Sequence, residues 1–550
     1  MTTELKSKIL QALGRWNQGI CPGGQILIEK DGQILLEESL GYANLENQVP
    51  ITSESIFHIA SVSKQFTVMA ALLLQQDGKI NLDDPAANYV GDLLEKLQPY
   101  QAQHGSISLR QLCNNTSGLR DIWELLQLSG YRMTDEITEE DLDRLICHQT
   151  TLNFPPGERY LYSNTGFYLL AKIVERLSGL DFPHFVQERI FRPLGMEHTR
   201  IRRDCYEIIS NLALSYLDEG QSYFYYPLNY ALSGPTSVNT CASDLIKVIS
   251  EYANPRLLTP DHVNFMLSPA ITNRGMKIEY CGGLMEHRLQ GYNVIEHSGA
   301  DAAYRANFFW LPEKNLKIIL LSNTNTYYMQ HKTHEIANIL LEAEGQAISA
   351  LRAQEADNMT TSPAKEASVT KDFDSQSSCI AEEDSMPCSS HVYVSDQDGV
   401  PHVLEIMRHG QHQCIRRELA LAPLCWEDMS QSYRVGHLDE RVQFTQEGLI
   451  YTTPTTNLTY LKGEPLASGS LPYGDYCLVE QPDVTFTLEC YEGYLYIRTP
   501  RNGTTPLYQL GDQQAVFSFG PEFTFSLQLK ENQLELNGDR VRHLMATRIE

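Results

Sequence analysis

The run Val68-Met69-Ala70-Ala71-Leu72-Leu73-Leu74 constrains the fold more than any other stretch of the chain. It is apolar on every side, and a helix that is apolar all round belongs inside a core. Gly78 ends the segment, and Ser61-Val62-Ser63-Lys64 stands ahead of it. Residues three apart share one helix face about a turn from each other, so Lys64 points at the Ser61 hydroxyl. A serine hydroxyl is a poor nucleophile without a nearby proton acceptor. Lysine can be that acceptor when burial and a neighbouring cation hold it neutral. The helix N-terminus also offers backbone N–H groups to a developing oxyanion. The same spacing recurs at Ser362/Lys365 and Ser368/Lys371, in a polar stretch with no apolar run behind it. Those copies are read as chance.

Two further pieces follow in order. Phe154-Pro155-Pro156-Gly157 forces a loop, and Tyr162-Ser163-Asn164 lies on its exit, ahead of a helix carrying Leu169, Leu170, Ile173, Val174 and Leu177 on one face. Later, residues 294–300 read as a strand that opens at His297-Ser298-Gly299. Tyr-x-Asn also occurs at Tyr42 and Tyr252, whereas His-x-Gly occurs once.

The surroundings describe an α+β domain. Leu5, Ile9, Leu10 and Leu13 fit a short amphipathic helix. Residues 24–30 and 33–39 read as strands joined at Asp31-Gly32, a strong hairpin signal. Residues 120–150 are helical in pattern. A second hairpin, 305–311 with 316–322, precedes a helix over 327–341. Helices and strands near both ends of this region predict that its termini meet on one antiparallel sheet. The predicted catalytic domain, 1–345, is therefore an antiparallel sheet flanked by helices, plus an all-helical subdomain. Residues 346–388 turn polar and read as a flexible linker. Beyond it, short alternating segments predict two small antiparallel β-barrels, 389–465 and 466–550. The last has eight expected strands, around Cys477, Phe486, Leu495, Leu507, Phe517, Phe525, Leu534 and Leu544.

Together the three motifs resemble the serine β-lactamase and penicillin-binding protein superfamily, in its class C, DD-carboxypeptidase and esterase branch. The resemblance covers about residues 5–345 and includes Asn115-Thr116-Ser117-Gly118-Leu119 and Phe191-Arg192-Pro193-Leu194-Gly195-Met196. The layout of a catalytic domain plus two barrels is similar to the bacterial D-aminopeptidases of that superfamily. The resemblance implies that Ser61 is acylated and that Lys64 and Tyr162 share the general-base work. It implies that Asn164 holds the substrate carbonyl and that the N–H groups of Ser61 and Ala300 form the oxyanion hole. His297 stands where many relatives carry lysine, with Ser298 and Gly299 beside it in the substrate-binding strand. In the D-aminopeptidases a loop of the last barrel reaches the cleft and helps recognise a free amine. The matching stretch here is 499–506, whose Arg501 suits a carboxylate better.

The formal net charge of −26 argues against nucleic acid or an anionic membrane as partner. No apolar run approaches a membrane span, no secretory leader is visible, and the 12 cysteines are scattered, which together suggest a cytoplasmic setting. His331 with His334, and His409 and His412 with Cys414, have metal-like spacing but read as surface histidines. No cofactor or metal is expected. The expected function is a serine hydrolase acting through an acyl-enzyme on a small molecule or short peptide, with a homodimer left open. A carboxylesterase or weak β-lactamase, and a penicillin-binding sensor without turnover, are the competing readings.

Overall fold

A computed structural model of the chain describes residues 1–359 except 133, 134, 220 and 221, then the strands between 391 and 462, and residues 463–549 except 500, 512 and 519–522. Helix α1 (Thr3–Ala12) is capped by the Thr2 hydroxyl, which accepts from Leu5 N–H. Strands β1 (Gly24–Lys30) and β2 (Gln33–Leu40) follow. Asp31 and Gly32 between them take φ of 51° and 78°. Two consecutive positive φ values are what a two-residue turn needs to match strand twist.

The motif helix is α2 (Lys64–Gln76), and every residue from Lys64 to Leu74 is buried. Fully burying a leucine stabilises by roughly 1.5–3 kcal/mol, so the Leu72–Leu74 run fixes this helix at the centre of the domain. Helix α4 (Asn164–Ser178) packs against it, and α3 (Ile122–Leu128) packs against α4. Gly179 closes α4 with φ 75°, the left-handed stop that glycine adopts without strain.

The remaining strands are β3 (Met285–Leu289), β4 (Tyr292–Asp301), β5 (Tyr304–Leu311) and β6 (Leu316–Ser322). The sheet is antiparallel, in the order β3-β4-β5-β6-β1-β2. Gly24 pairs with Ser322 and Lys30 with Leu316, so the two ends of the domain do meet on one sheet. The pleat sorts the side chains. Ile26 and Ile28 share a core with Ile9 of α1, Leu13 just after it, and Ile336 and Leu340 of α5 (Met329–Met359). Leu27 faces the other way, into the core that holds Phe66 and Leu72. With both faces covered, β6 is buried at every position.

Helix α5 runs on to Met359. The expected linker, 346–388, is thus helical over its first part, and its residues 360–388 lie outside the described residues. The strands between His391 and Lys462 make a closed eight-stranded barrel. Its first and last strands pair Tyr393 with Lys462 and Val394 with Leu461. The last region forms a nearly closed sheet of nine strands, where the sequence predicted eight. The expected strand around Leu507 is two strands, Gly503–Pro506 and Tyr508–Gly511. At the join, Leu507 N–H donates to Leu495 O and Leu507 O accepts from Leu466 N–H. The ladder that pairs Tyr496 with Pro506 ends here, where Leu507 O is taken by Leu466 N–H. Among the described residues no helix is long and apolar enough to cross a membrane.

Candidate active site

Ser61 lies in a tight helical turn, Ala60–Ser63, that feeds directly into α2. Ala60 has φ 51°. Such a backbone costs a residue with a Cβ on the order of 1–3 kcal/mol and persists only where its surroundings over-determine it. Lys64 Nζ lies 3.1 Å from Ser61 Oγ, 2.8 Å from Asn164 Oδ1 and 2.9 Å from Pro235 O. Its side chain is fully buried. Burial pushes the ammonium down to about 7; Asp121 pulls it back up, and the cation of Arg540 lowers it further. Near neutral pH, then, a large fraction of Lys64 is free amine, whose lone pair can accept the Ser61 proton.

The Tyr162 ring centroid is 4.8 Å from Lys64 Nζ. Burial raises its phenol above the ordinary value, although a hydrogen bond with Ser61 and the charge of Arg540 oppose the rise. Tyr162 is therefore a neutral phenol at physiological pH, suited to carrying a proton rather than to being the resting base. The loop that delivers it is pinned by Asn115, which has φ 59°. Asn115 O accepts from Leu161 N–H and its Oδ1 from Ser163 N–H.

Asn164 opens α4. Its N–H and Nδ2 both donate to Asp121 Oδ2, at 2.7 and 2.8 Å. That fixes the amide so that Oδ1 faces Lys64. Asp121 is fully buried and also caps α3, accepting from Trp123 N–H. The sequence reading passed over Asp121; its one signal is an aspartate just before the apolar Ile122.

Strand β4 forms the opposite wall. His297 is buried, and Tyr280 hydroxyl lies 3.1 Å from its Nε2. Its Nδ1 is 2.6 Å from Ser298 O, so these partners place the ring proton on Nδ1. Burial, with the charge of Lys64, lowers His297 to about 4, and the ring is neutral at neutral pH. It lies 6.2 Å from the Tyr162 ring, centroid to centroid. Gly299 has a packing reason. A Cβ there would sit 2.2 Å from Ile59 O and 3.2 Å from Ala60 Cβ. Only glycine lets β4 lie against the turn that carries Ser61. Ser298 is half-buried, and Ala300 is exposed at the end of the strand.

The loop of the last barrel that reaches this site is 539–543, between the strands Gln533–Gly538 and Leu544–Arg548. Arg540 places its guanidinium over the Tyr162 ring, 4.9 Å from the centroid. Burial works against its charge, but Asp121, Asp539 and Glu124 more than offset that and keep it a cation. The backbone is tied down on both sides. Asp121 and Asn153 donate to Arg540 O, Arg540 N–H donates to Glu124 Oε1, and Arg542 N–H to Asn153 Oδ1. A Cβ on Gly538 would lie 2.4 Å from Glu124 Oε2, so this strand end and α3 are in close contact.

Arg501 is elsewhere, which corrects the expectation for 499–506. Its guanidinium sits 3.4 Å from Asp135 and over the Tyr131 ring at 5.3 Å. Neighbouring Asn502 donates to Gln127 O. This loop docks on the helical subdomain, and the arginine at the cleft is Arg540. Asn-Gly at a tip and flanking prolines marked a hairpin correctly, but nothing in a sequence says which barrel loop faces the cleft.

A half-buried serine and a fully buried lysine stand together at a helix entry walled by an antiparallel strand, an arrangement suited to a serine hydrolase of the β-lactamase type. The Beta-lactamase family model matches residues 8–341, more than half of the chain, and the chain belongs to that family. It is similar to penicillin-binding protein 4* of Bacillus subtilis (strain 168), 28% identical over 316 residues, 54% of this chain and 68% of that protein. It is also similar to the D-aminopeptidase of Cereibacter sphaeroides (strain ATCC 17029 / ATH 2.4.9), 29% identical over 345 residues, 62% of this chain. That match spans 64%, just under two thirds, of the D-aminopeptidase's own length. Among solved structures, the octameric penicillin-binding protein homologue from Pyrococcus abyssi covers 99% of both chains at 19% identity and a TM-score of 0.52. The D-amino acid amidase from Ochrobactrum anthropi SV3 covers 63% of this chain and 99% of its own, at 23% identity and 0.51. At those identities the two structures speak to the fold alone.

Proposed function

We propose that the chain hydrolyses a small amide, peptide or ester through an acyl-enzyme on Ser61, and that its preferred substrate carries a carboxylate that Arg540 pairs. The observation that carries this reading is the fully buried Lys64, 3.1 Å from Ser61 Oγ and held near its own titration at neutral pH. Neutral Lys64 takes the Ser61 proton as Oγ bonds to the substrate carbonyl carbon. The resulting oxyanion lies against the N–H groups of Ser61 and Ala300. The proton then passes through the Tyr162 hydroxyl to the leaving nitrogen or oxygen as the scissile bond breaks. Water, deprotonated by the same Lys64, attacks the ester and frees Ser61. Asn164, its amide fixed by Asp121, holds the substrate carbonyl.

The names of similar proteins, D-aminopeptidase and penicillin-binding protein, support an amide or peptide substrate. The arginine at the cleft argues for an acid and against a free amine, because its fork of donors matches a carboxylate and repels an ammonium. With His297 neutral, Arg540 is the fixed positive charge beside Tyr162.

The test is a matched set: one amide with a free carboxylate beside the scissile bond, its neutral capped twin, and a neutral ester. Hydrogen bonds to charged groups contribute about 1.5–3 kcal/mol, so a preference of roughly tenfold or more for the acid is expected. Arg540→Gln should remove that preference and leave turnover of the ester. Equal ratios in parent and variant would remove Arg540 from substrate recognition. One stoichiometric burst on every substrate would favour the sensor without turnover.

A further inference from the structure

One residue before His297, on the other face of β4, stands Glu296. Successive strand residues point to opposite faces, so Glu296 meets α5 while His297 meets the Ser61 cleft. Glu296 is completely buried. Its Oε1 is approached by Nε2 of His287 on β3, by Nε2 of His334 on α5 at 2.7 Å, and by Nε2 of Gln330 at 2.9 Å. Its Oε2 accepts from Asn307 Nδ2 at 3.0 Å. The ligand atoms of His287, Glu296 and His334 all lie within 4.8 Å of one another.

As a hydrogen-bond network this cluster is overcrowded. A carboxylate oxygen has two lone-pair directions, and three nitrogen groups converge on Oε1. Gln330 Nε2, which can only donate, is also 3.2 Å from His287 Nε2. A nitrogen that accepts from Gln330 cannot also donate to Glu296. The conflict disappears if both imidazoles are neutral and aim their Nε2 lone pairs, with that of Oε1, at one cation. Two imidazole nitrogens and a carboxylate are a donor set that zinc favours, with water as the fourth ligand. The two histidine side chains are 15% and 22% exposed, which leaves an approach for that water. Asn307 holds the carboxylate from behind, the outer-shell support such a ligand usually has.

We propose that His287, Glu296 and His334 bind one divalent transition-metal ion, Zn²⁺ by its donor set, and that the ion clamps α5 to β3 and β4. The ion would then tie the β3–β4 hairpin to α5, which begins at Met329, on the side of the sheet away from Ser61. This inference does not depend on the proposed hydrolysis. Of the histidines singled out on α5, His334 serves the site and His331 does not.

The full-length chain is stripped with a chelator, desalted, and titrated with Zn²⁺ alone by calorimetry and Co²⁺ alone by visible absorption. Expected are one Zn²⁺ per chain, a melting temperature that climbs with Zn²⁺ concentration, and the absorption bands of four-coordinate Co²⁺. His334→Ala and His287→Gln should each weaken uptake by more than the roughly 10–100-fold that loss of an outer-shell partner costs. His331→Ala should bind as the parent does. Circular dichroism verifies that each variant is folded, and two independent ligand variants keep the test decisive should one fail to fold. The absence of stoichiometric uptake, or uptake equal to the parent's in a folded ligand variant, overturns the site and leaves protonated histidines as counter-ions to Glu296.

Discussion

Lys64 is a residue whose chemistry is set by its environment. The base must be neutral to accept the Ser61 proton, and burial sets its titration at about 7. We expect kcat/KM on a neutral ester to rise with pH, to be half-maximal near 7, and to level off above. Arg540 lowers Lys64 further, so Arg540→Gln should move that midpoint to higher pH. A profile that peaks in acid and falls by neutrality contradicts this assignment of the base. Asp121→Asn should weaken catalysis differently: one amide oxygen can accept both bonds from Asn164, but the NH₂ group that replaces the other oxygen cannot accept from Trp123 N–H. We expect a loss of about 10–100-fold, as for other outer-shell partners, with the midpoint for Lys64 pushed down because an opposing anion is gone. Ser61, Lys64, Tyr162, Asn164 and His297, which the structure brings together, could be singled out because each sits in a short local pattern. Asp121 and Arg540 were not, since their roles arise from contacts with residues far away in the chain.

At the scale of elements, α2 could be read in full from its seven apolar residues, because nothing but burial on all sides suits them. The hairpin at Asp31-Gly32 and the meeting of β1 with β6 were equally plain. The ninth strand of the last sheet was hidden, because its division at Leu507 depends on backbone bonds to Leu495 and Leu466. Gly299→Ala tests the fit between β4 and the Ser61 turn. The added Cβ would lie 2.2 Å from Ile59 O, so strand or turn must shift. Overpacking of this kind typically costs about 1–3 kcal/mol. We expect a folded protein, less stable by that amount in urea, with kcat reduced at least about tenfold because a small misplacement of reacting groups is expensive. Unchanged kcat would mean that the fit of strand to turn is not needed for catalysis.

Over the whole molecule, the last nine-stranded sheet docks on the domain that carries Ser61. Arg120, with none of its side chain exposed, pairs with Glu480 at 2.8 Å and also donates to Arg542 O. Removing one partner of a buried pair costs about 3–5 kcal/mol, because the other charge is stranded. Glu480→Gln should therefore lower stability by an amount in that range and loosen the loop that carries Arg540. The separate readout is selectivity: preference for the carboxylate amide should fall along with stability, which a purely local defect in the barrel would not cause. Composition and texture revealed that barrels follow the catalytic domain. Which of their loops enters the cleft is a matter of docking, and docking leaves no local pattern.

The central claim, an acyl-enzyme on Ser61 with Lys64 as base, is tested most directly by peptide mass spectrometry of the chain acid-quenched during turnover of a slow ester. The account predicts the acyl mass on the peptide containing Ser61, and Ser61→Ala should lose both the adduct and roughly 10⁴-fold or more of kcat. An adduct on another residue, or full activity in Ser61→Ala, would contradict it.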